Sequence, residues 1–423
     1  MNKKKILIFL TTAYPYGNGE SFIETEINYL SKSFDKIFII SNGLRDSHPV
    51  LFPDNVSAEK YPYYLTKKEI FKSFYLLFGF AFLQEFYYLI FRYHKFPSFR
   101  IIKTIILSFL YGHKLARYIK NHLKDISSET DDVFVYSYWF NDNSIGVALL
   151  KKYLPDIKGF SRAHAYDLYF YRSPTNYIPF KNLLFRKLDF VFFISDDAFN
   201  YSKNILKISN KFLHKTSISR LGISQSIKKL YGVEEKKCLN IVSCSYIYFV
   251  KRLDLLIESI GKIDSFNIKW IHFGDGRTTE EFENTKKLAF DKLKNKKNIE
   301  FKFFGFLNNE DILNYYKENP VDVFINLSTN EGIPVTFMEV MACGIPVIAT
   351  AVGGSVEIVK NEYNGFLLSE NPSSIEVADA IEYFYKLSDN EIQILRSNAY
   401  TTWNELYNAD KNYTKFVNDI ISL

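Results

Sequence analysis

The chain has 423 residues, 47% hydrophobic and 24% charged, enough for two or three domains with sizeable cores. The net charge is +6, yet ten Lys/Arg and two Glu between Lys67 and Lys120 carry +8, so the remainder is slightly acidic; because this bias sits in an aromatic-rich stretch rather than along a groove, nucleic-acid binding is not expected. The three cysteines, Cys238, Cys244 and Cys343, are odd in number and far apart, which excludes a disulfide framework and fits a reducing compartment.

Residues 5–10 read as a first strand. The apolar run after the N-terminal lysines is too short for a signal peptide, and Tyr14-Pro15-Tyr16-Gly17 follows in place of a small-residue cleavage site. The loop 11–20 holds Gly17-Asn18-Gly19-Glu20. A helix over 21–31 follows, with Ser21 as N-cap and Glu24 as its capping-box partner. A strand over 36–40 comes next. Gly19 thus lies at a helix start, as a phosphate contact or as part of an ordinary tight turn.

Residues 62–125 break the alternation. Residues 71–91 are nearly all apolar, interrupted by Gln84-Glu85. Over 100–111, Ile101, Ile102, Ile105, Ile106, Phe109 and Leu110 share one helical face, and Arg100, Lys103, Thr104 and Ser108 the other. Two readings stand side by side: a helical insertion packed on the first domain, or a patch touching anionic lipid through Lys/Arg and inserting Phe and Leu. No uninterrupted apolar run of about 20 residues occurs, so no spanning helix is expected.

A strand over 133–137 and a helix over 143–153 restore the alternation. The next strand, 159–161, runs into Arg162-Ala163-His164-Ala165-Tyr166-Asp167, so Arg162, His164 and Asp167 cluster at a strand end, where ligands bind in open α/β sheets. A strand over 189–194 and a helix over 195–205 follow, and 216–222 closes this half. After a linker at 223–238, the second half opens with a strand over 239–245. Lys251 and Arg252 follow at a helix start, where charge and helix dipole together suit a diphosphate.

The most informative stretch is 322–350: a buried strand, a loop carrying Glu331, a helix entered at Pro334 and ended at Gly344, and a strand from Pro346. The helix start attracts phosphate. The flanking acids Glu331 and Glu339 are poor phosphate ligands but good acceptors for sugar hydroxyls. Together they describe a sugar-nucleotide site. Gly353-Gly354 reads either as a helix-entry turn or as a close backbone approach to the ligand. The whole pattern predicts an α/β chain of two Rossmann-like domains facing across a cleft. The expected boundaries are 1–225, with a basic aromatic helical insertion at 62–125, then 226–404, then a C-terminal helix at 405–423.

Glu331-Gly332-Ile333-Pro334 and Met338-Glu339-Val340-Met341-Ala342-Cys343-Gly344-Ile345-Pro346, with seven residues between the two glutamates, resemble the signature of glycosyltransferase family 4, retaining enzymes of the GT-B fold. Arg162-Ala163-His164 resembles that family's acceptor-domain histidine motif. Tyr14-Pro15 with Gly19-Glu20-Ser21 resembles the first loop of its bacterial polysaccharide branch. Ser243-Cys244-Ser245 with Val250-Lys251-Arg252 resembles its phosphate loop. The resemblance implies that Glu331 holds donor-sugar hydroxyls, that the backbone at Gly332, Ile333, Pro334, Val335 and Thr336 borders the sugar and diphosphate, binding them through the N–H groups of all but Pro334, and that Glu339 takes the ribose hydroxyls. Lys251 would neutralise the leaving diphosphate and His164 would lie beside the donor sugar, with Gly19, Arg162 and Arg252 as further donor contacts. The last helix would cross back onto the first domain. One departure is Tyr246, where many relatives carry Arg; Arg252 or the backbone is then left to hold the diphosphate.

These features imply a retaining transferase that uses a UDP- or GDP-linked sugar, needs neither metal nor other cofactor, and modifies a saccharide acceptor, expected to be lipid-linked, at the cytoplasmic face of an anionic membrane in cell-surface polysaccharide synthesis. The alternatives are a sugar-nucleotide epimerase or phosphorylase of related fold, and a non-catalytic sugar-nucleotide-binding protein.

Overall fold

Short apolar runs separated by amphipathic stretches are what a parallel sheet covered by helices requires, because its strands are buried on both faces. The computed structural model, which describes residues 3–17, 20, 22–43, 51–126, 128, 131–224 and 238–423, contains two such sheets. The chain divides into two compact units, Met1–Arg220 with Tyr413–Leu423, and Leu221–Asn412. Gly19 and Ser21, and most of the expected linker, lie outside the described residues.

The first unit holds seven parallel strands: β1 Lys5–Thr11, β2 Lys36–Ser41, β3 Val56–Lys60, β4 Asp132–Ser137, β5 Lys158–Ala163, β6 Phe190–Phe193 and β7 Thr216–Ile218. Their order is β3-β2-β1-β4-β5-β6-β7. Central β1 pairs Ile8 with Phe38 on one side and Val135 on the other, and Ile6 to Leu10 are all buried. The edge strands β3 and β7 are short and partly polar, so they lack the continuous apolar run that reveals the central ones.

The second unit holds six parallel strands: β8 Leu239–Cys244, β9 Ile268–Phe273, β10 Ile299–Phe303, β11 Val323–Asn326, β12 Val347–Thr350 and β13 Gly365–Leu368. Their order, β10-β9-β8-β11-β12-β13, repeats the pattern of the first sheet. In each sheet the connections change direction at the central pair, β1/β4 or β8/β11. At such a switch point the loops leaving the two strands diverge and open a crevice at their carboxyl ends.

The helix Phe99–Ile126 answers one question left by the sequence. Ile101, Ile105, Phe109 and Leu110 are buried in the first core, while Arg100 and Lys103 are exposed. Ser108, expected on the polar face, is buried as well. The helix lies tightly on Asp142–Leu150, where a Cβ on Gly112 would stand 2.6 Å from Ile145 Cγ2 and one on Gly146 2.8 Å from Leu115 Cδ2. This helix therefore packs. The helices Lys67–Ser73 and Phe80–Tyr87 before it leave much apolar surface uncovered. At the other end of the chain, Phe416 in the final helix, Ala409–Ile421, packs on Tyr136 of β4 and Phe192 of β6.

Candidate functional site

In the second unit, the loops leaving β8 and β11 carry the expected residues. Strand β8 is followed by a short turn, Phe249–Lys251, and β11 by a loop entering the helix Val335–Ala342. The two loops are tied together, since Thr329 N–H donates to the Val250 carbonyl at 2.9 Å. At their junction Lys251 Nζ lies 2.6 Å from Glu331 Oε1, which also accepts from Asn326 Nδ2 at 3.2 Å. Both members of the ion pair are largely but not fully buried, at 18% and 11% side-chain exposure, so the pair borders solvent.

Gly332, Ile333, Val335 and Thr336 are half-buried around the helix entry and Pro334 is buried at its cap, with no side chain capping the first turn. That end keeps backbone donors aimed along the helix axis, the usual setting for a phosphate. Gly353-Gly354 form a helix-entry turn, with Gly354 at the N-cap of the short helix Ser355–Ile358, and they pack closely on the protein's own acidic loop. A Cβ on Gly353 would lie 2.0 Å from the Glu331 carbonyl oxygen, and one on Gly354 1.8 Å from that of Gly332. Only glycine lets this turn support the acidic loop from behind.

Glu339 sits one helical turn inside, 4% exposed, with Asn309 Nδ2 donating to Oε1 at 2.7 Å. Burial pushes its carboxyl up to about 7, and the single hydrogen bond from Asn309 only partly opposes that. Arg252 does not stand beside Lys251 as a second free cation. It adopts a left-handed backbone (φ 47°), and its guanidinium donates to the carbonyls of Leu327, Ser328 and Glu370 and to Asn371 Oδ1. It staples the acidic loop to 370–371. Tyr246 is exposed, and near it the exposed Arg277 lies 3.9 Å over the ring of Tyr248.

In the first unit, His164 ends β5 and precedes the short helix Ala165–Leu168. Its backbone N–H donates to Asp167 Oδ1 at 2.7 Å, while Asp167 Oδ2 accepts from Phe140 N–H at 2.7 Å, so one carboxylate fixes the loops after β4 and β5. The imidazole packs against Tyr138 and Trp139, with centroids 4.9 and 4.4 Å away. It is 5% exposed, with Nδ1 3.8 Å from Asp167 Oδ2, and neither ring nitrogen has a hydrogen-bond partner among the described residues. Buried polar atoms are seldom left without a hydrogen-bond partner, whether protein, water or ligand. Trp139 Nε1 in turn donates to Glu20, whose other oxygen accepts from Ala13 and Tyr14 N–H at 2.7 and 2.6 Å. The first loop is thereby braced onto the same aromatic wall.

Arg162, expected as a donor contact, is elsewhere. It has no exposed surface, pairs with Glu26 Oε2 at 2.5 Å and lies 4.1 Å from the ring of Phe416. That placement corrects the expectation: Arg162 belongs to the core under the last helix. Conversely, Asn326 and Asn309 were not singled out from the sequence. A polar residue ending an apolar strand signalled Asn326, whereas Asn309 is hidden in an ordinary helix-start cluster, Asn308-Asn309-Glu310-Asp311.

Comparison with known proteins bears on both halves. Over 141 residues, 33% of this chain and 36% of the relative, it is 35% identical to "Uncharacterized glycosyltransferase MJ1178" of Methanocaldococcus jannaschii. Over 82 residues, 19% of this chain and 20% of the relative, it is 32% identical to an Escherichia coli UDP-Gal:alpha-D-GlcNAc-diphosphoundecaprenol alpha-1,3-galactosyltransferase. The chain thus spans well under two thirds of the length of these curated relatives. The solved structure of Anabaena Alr3699/HepE in complex with UDP aligns over 99% of this chain and all of that one, with TM-score 0.64 and 14% identity. That likeness shows the fold, two Rossmann-like domains as in GT-B glycosyltransferases. Residues 229–402, which hold Lys251, Glu331 and Glu339, match the family described as glycosyl transferases group 1.

Proposed function

We propose that the protein is a retaining glycosyltransferase that moves a sugar from a UDP- or GDP-linked donor to a hydroxyl of a lipid-linked saccharide, at the inner face of a membrane, in cell-surface polysaccharide synthesis. The observation that carries this reading is the Lys251–Glu331 pair at the second sheet's switch point, beside an uncapped helix start and a buried second carboxylate. A cation, backbone donors and two hydroxyl acceptors match, group by group, the diphosphate, sugar and ribose of one nucleotide sugar. The family match over 229–402 and the lipid-linked acceptor named for the E. coli relative point the same way.

In this reading the bond from the anomeric carbon to the diphosphate oxygen breaks, and the acceptor oxygen bonds to that carbon from the same face. The acceptor proton passes to the departing phosphate oxygen, so no protein nucleophile or metal is required. Lys251 balances charge on the leaving diphosphate, Glu331 orients the sugar through its hydroxyls, and Glu339 holds the ribose. His164, in the first unit, is assigned a hydrogen bond to substrate, since its ring nitrogens have no hydrogen-bond partner among the described residues. The protein contributes positioning and electrostatic stabilisation. Proton NMR of the product tests the stereochemistry: the donor's anomeric configuration is kept, and an inverted linkage overturns the retaining assignment.

A further inference from the structure

Residues 67–92 form two helical segments, Lys67–Phe78 and Phe80–Arg92, bent by 73° at Gly79. One face of the second segment is anchored. Phe82 and Leu89 are buried, and Glu85 accepts from Tyr177 OH and Phe180 N–H, both at 2.5 Å. The opposite face is equally apolar and open to solvent, with Phe80 74%, Tyr87 58% and Phe91 65% exposed, and Phe78 71% exposed at the bend. Between Phe74 and Phe91 the only side chains other than aromatic, aliphatic or glycine are Gln84 and Glu85, and both are spent on internal partners, Arg186 and Tyr177. The uncovered surface is on the order of 1,000 Å², beyond the ~300–600 Å² of the largest patch on a typical monomer.

Its surroundings are basic. Lys67, Lys68 and Lys72 precede it, and Arg100 and Lys103 follow, all exposed. The acid in that rim, Glu69, is paired with Lys114 at 3.1 Å. Each segment is no more than about 20 Å long, short of the ~30 Å hydrocarbon core, so the bent pair enters and leaves one side of a bilayer.

We infer that residues 67–92 are a one-leaflet anchor. The bend at Gly79 and the flanking aromatic rings enter the acyl–headgroup boundary, and the lysine rim meets anionic headgroups. Lipid is favoured over a second protein because a large charge-free aromatic face ringed by exposed lysines complements an anionic bilayer, whereas protein interfaces are depleted in lysine. This deepens the membrane part of the function proposed above.

The test is co-sedimentation of the full chain, without any sugar nucleotide, with vesicles of phosphatidylcholine with and without phosphatidylglycerol. Binding is expected only with phosphatidylglycerol. It should fall about tenfold or more both in Phe78→Asp/Phe80→Asp and in Lys67→Glu/Lys68→Glu/Lys72→Glu. Thermal melting should stay unchanged, because these side chains lie outside the core. A Phe80→Trp variant should be quenched by brominated lipid. Absence of vesicle binding, binding indifferent to Phe78→Asp/Phe80→Asp, or a vesicle-free dimer abolished by that variant each overturns the inference, the last in favour of a second copy. Glu331→Gln should bind vesicles as the wild type does, so loss of transfer and loss of anchoring are read separately.

Discussion

Lys251 Nζ is held 2.6 Å from Glu331 Oε1, so in the ligand-free protein the acid proposed to hold the sugar also neutralises the lysine proposed to meet the diphosphate. A donor would draw the ammonium toward phosphate and free the carboxylate for hydroxyls. Glu331→Gln keeps the size and releases the lysine. Nucleoside diphosphate affinity, by calorimetry, should stay within about threefold or tighten, while transfer falls by about a hundredfold or more. Transfer at the wild-type rate would remove Glu331 from the mechanism.

In the proposed mechanism Lys251, rather than a divalent ion, balances the charge on the leaving diphosphate. Transfer in excess EDTA is expected to match the untreated rate. Lys251→Met should lose about a hundredfold in transfer and weaken nucleoside diphosphate binding. A chelator-sensitive wild type restored by magnesium or manganese would contradict this role.

Glu339 makes the site pH-dependent. Its carboxyl is raised from 4.5 to about 7 by burial, so between those values the folded protein binds a proton that the unfolded chain does not. This contribution to stability is fully present below about pH 4.5 and disappears as pH rises through about 7. In the proposed role, ribose hydroxyls donate to the ionised form. Nucleoside diphosphate binding should therefore release a proton near neutrality and tighten about tenfold from pH 6 to 8. Calorimetry in buffers of different ionisation enthalpy reads both effects. Glu339→Gln should bind weakly and without that slope, yet be more stable than the wild type at pH 8.

The Arg162–Glu26 pair, with both side chains fully buried, predicts a loss of stability rather than of chemistry. Arg162→Met strands the Glu26 carboxylate in the core, at a cost of about 3–5 kcal/mol. Melting should fall by about 10 °C. Adding Glu26→Gln should recover part of that. A melting temperature unchanged in Arg162→Met would contradict the core role.

His164 should behave oppositely. Both ring nitrogens lack hydrogen-bond partners among the described residues, so His164→Ala removes little native hydrogen bonding. Melting should shift by only a few degrees while transfer falls by about a hundredfold. Loss of fold with intact specific activity in the surviving fraction would make the histidine structural.

The strands of both sheets were legible wherever Ile, Val and Phe ran continuously, as in β1, β4, β8 and β11, since burial on both faces leaves no room for polar residues. The edge strands β3 and β7 were not, because one side of an edge strand has no neighbour and tolerates Ser, Glu and Lys. Glu331 and Glu339 were legible from the loop-helix pattern around them. The surroundings of Arg252 were not legible, because a Lys-Arg pair in sequence says nothing of backbone hand: at positive φ its guanidinium donates to three carbonyls. Arg162 was misread for a related reason. A strand end marks a ligand crevice only for the residue that leaves the sheet, here His164, whereas its neighbour two positions back still faces the core.

The central claim is that the Glu331–Lys251 pair acts on a nucleotide sugar, and the most direct measurement is nucleoside diphosphate release from UDP- and GDP-sugars with a lipid-linked saccharide acceptor. Release by the wild type that depends on the acceptor, with both Lys251→Met and Glu331→Gln folded yet reduced by about a hundredfold, is the predicted result. Release unaffected in either folded variant would contradict it.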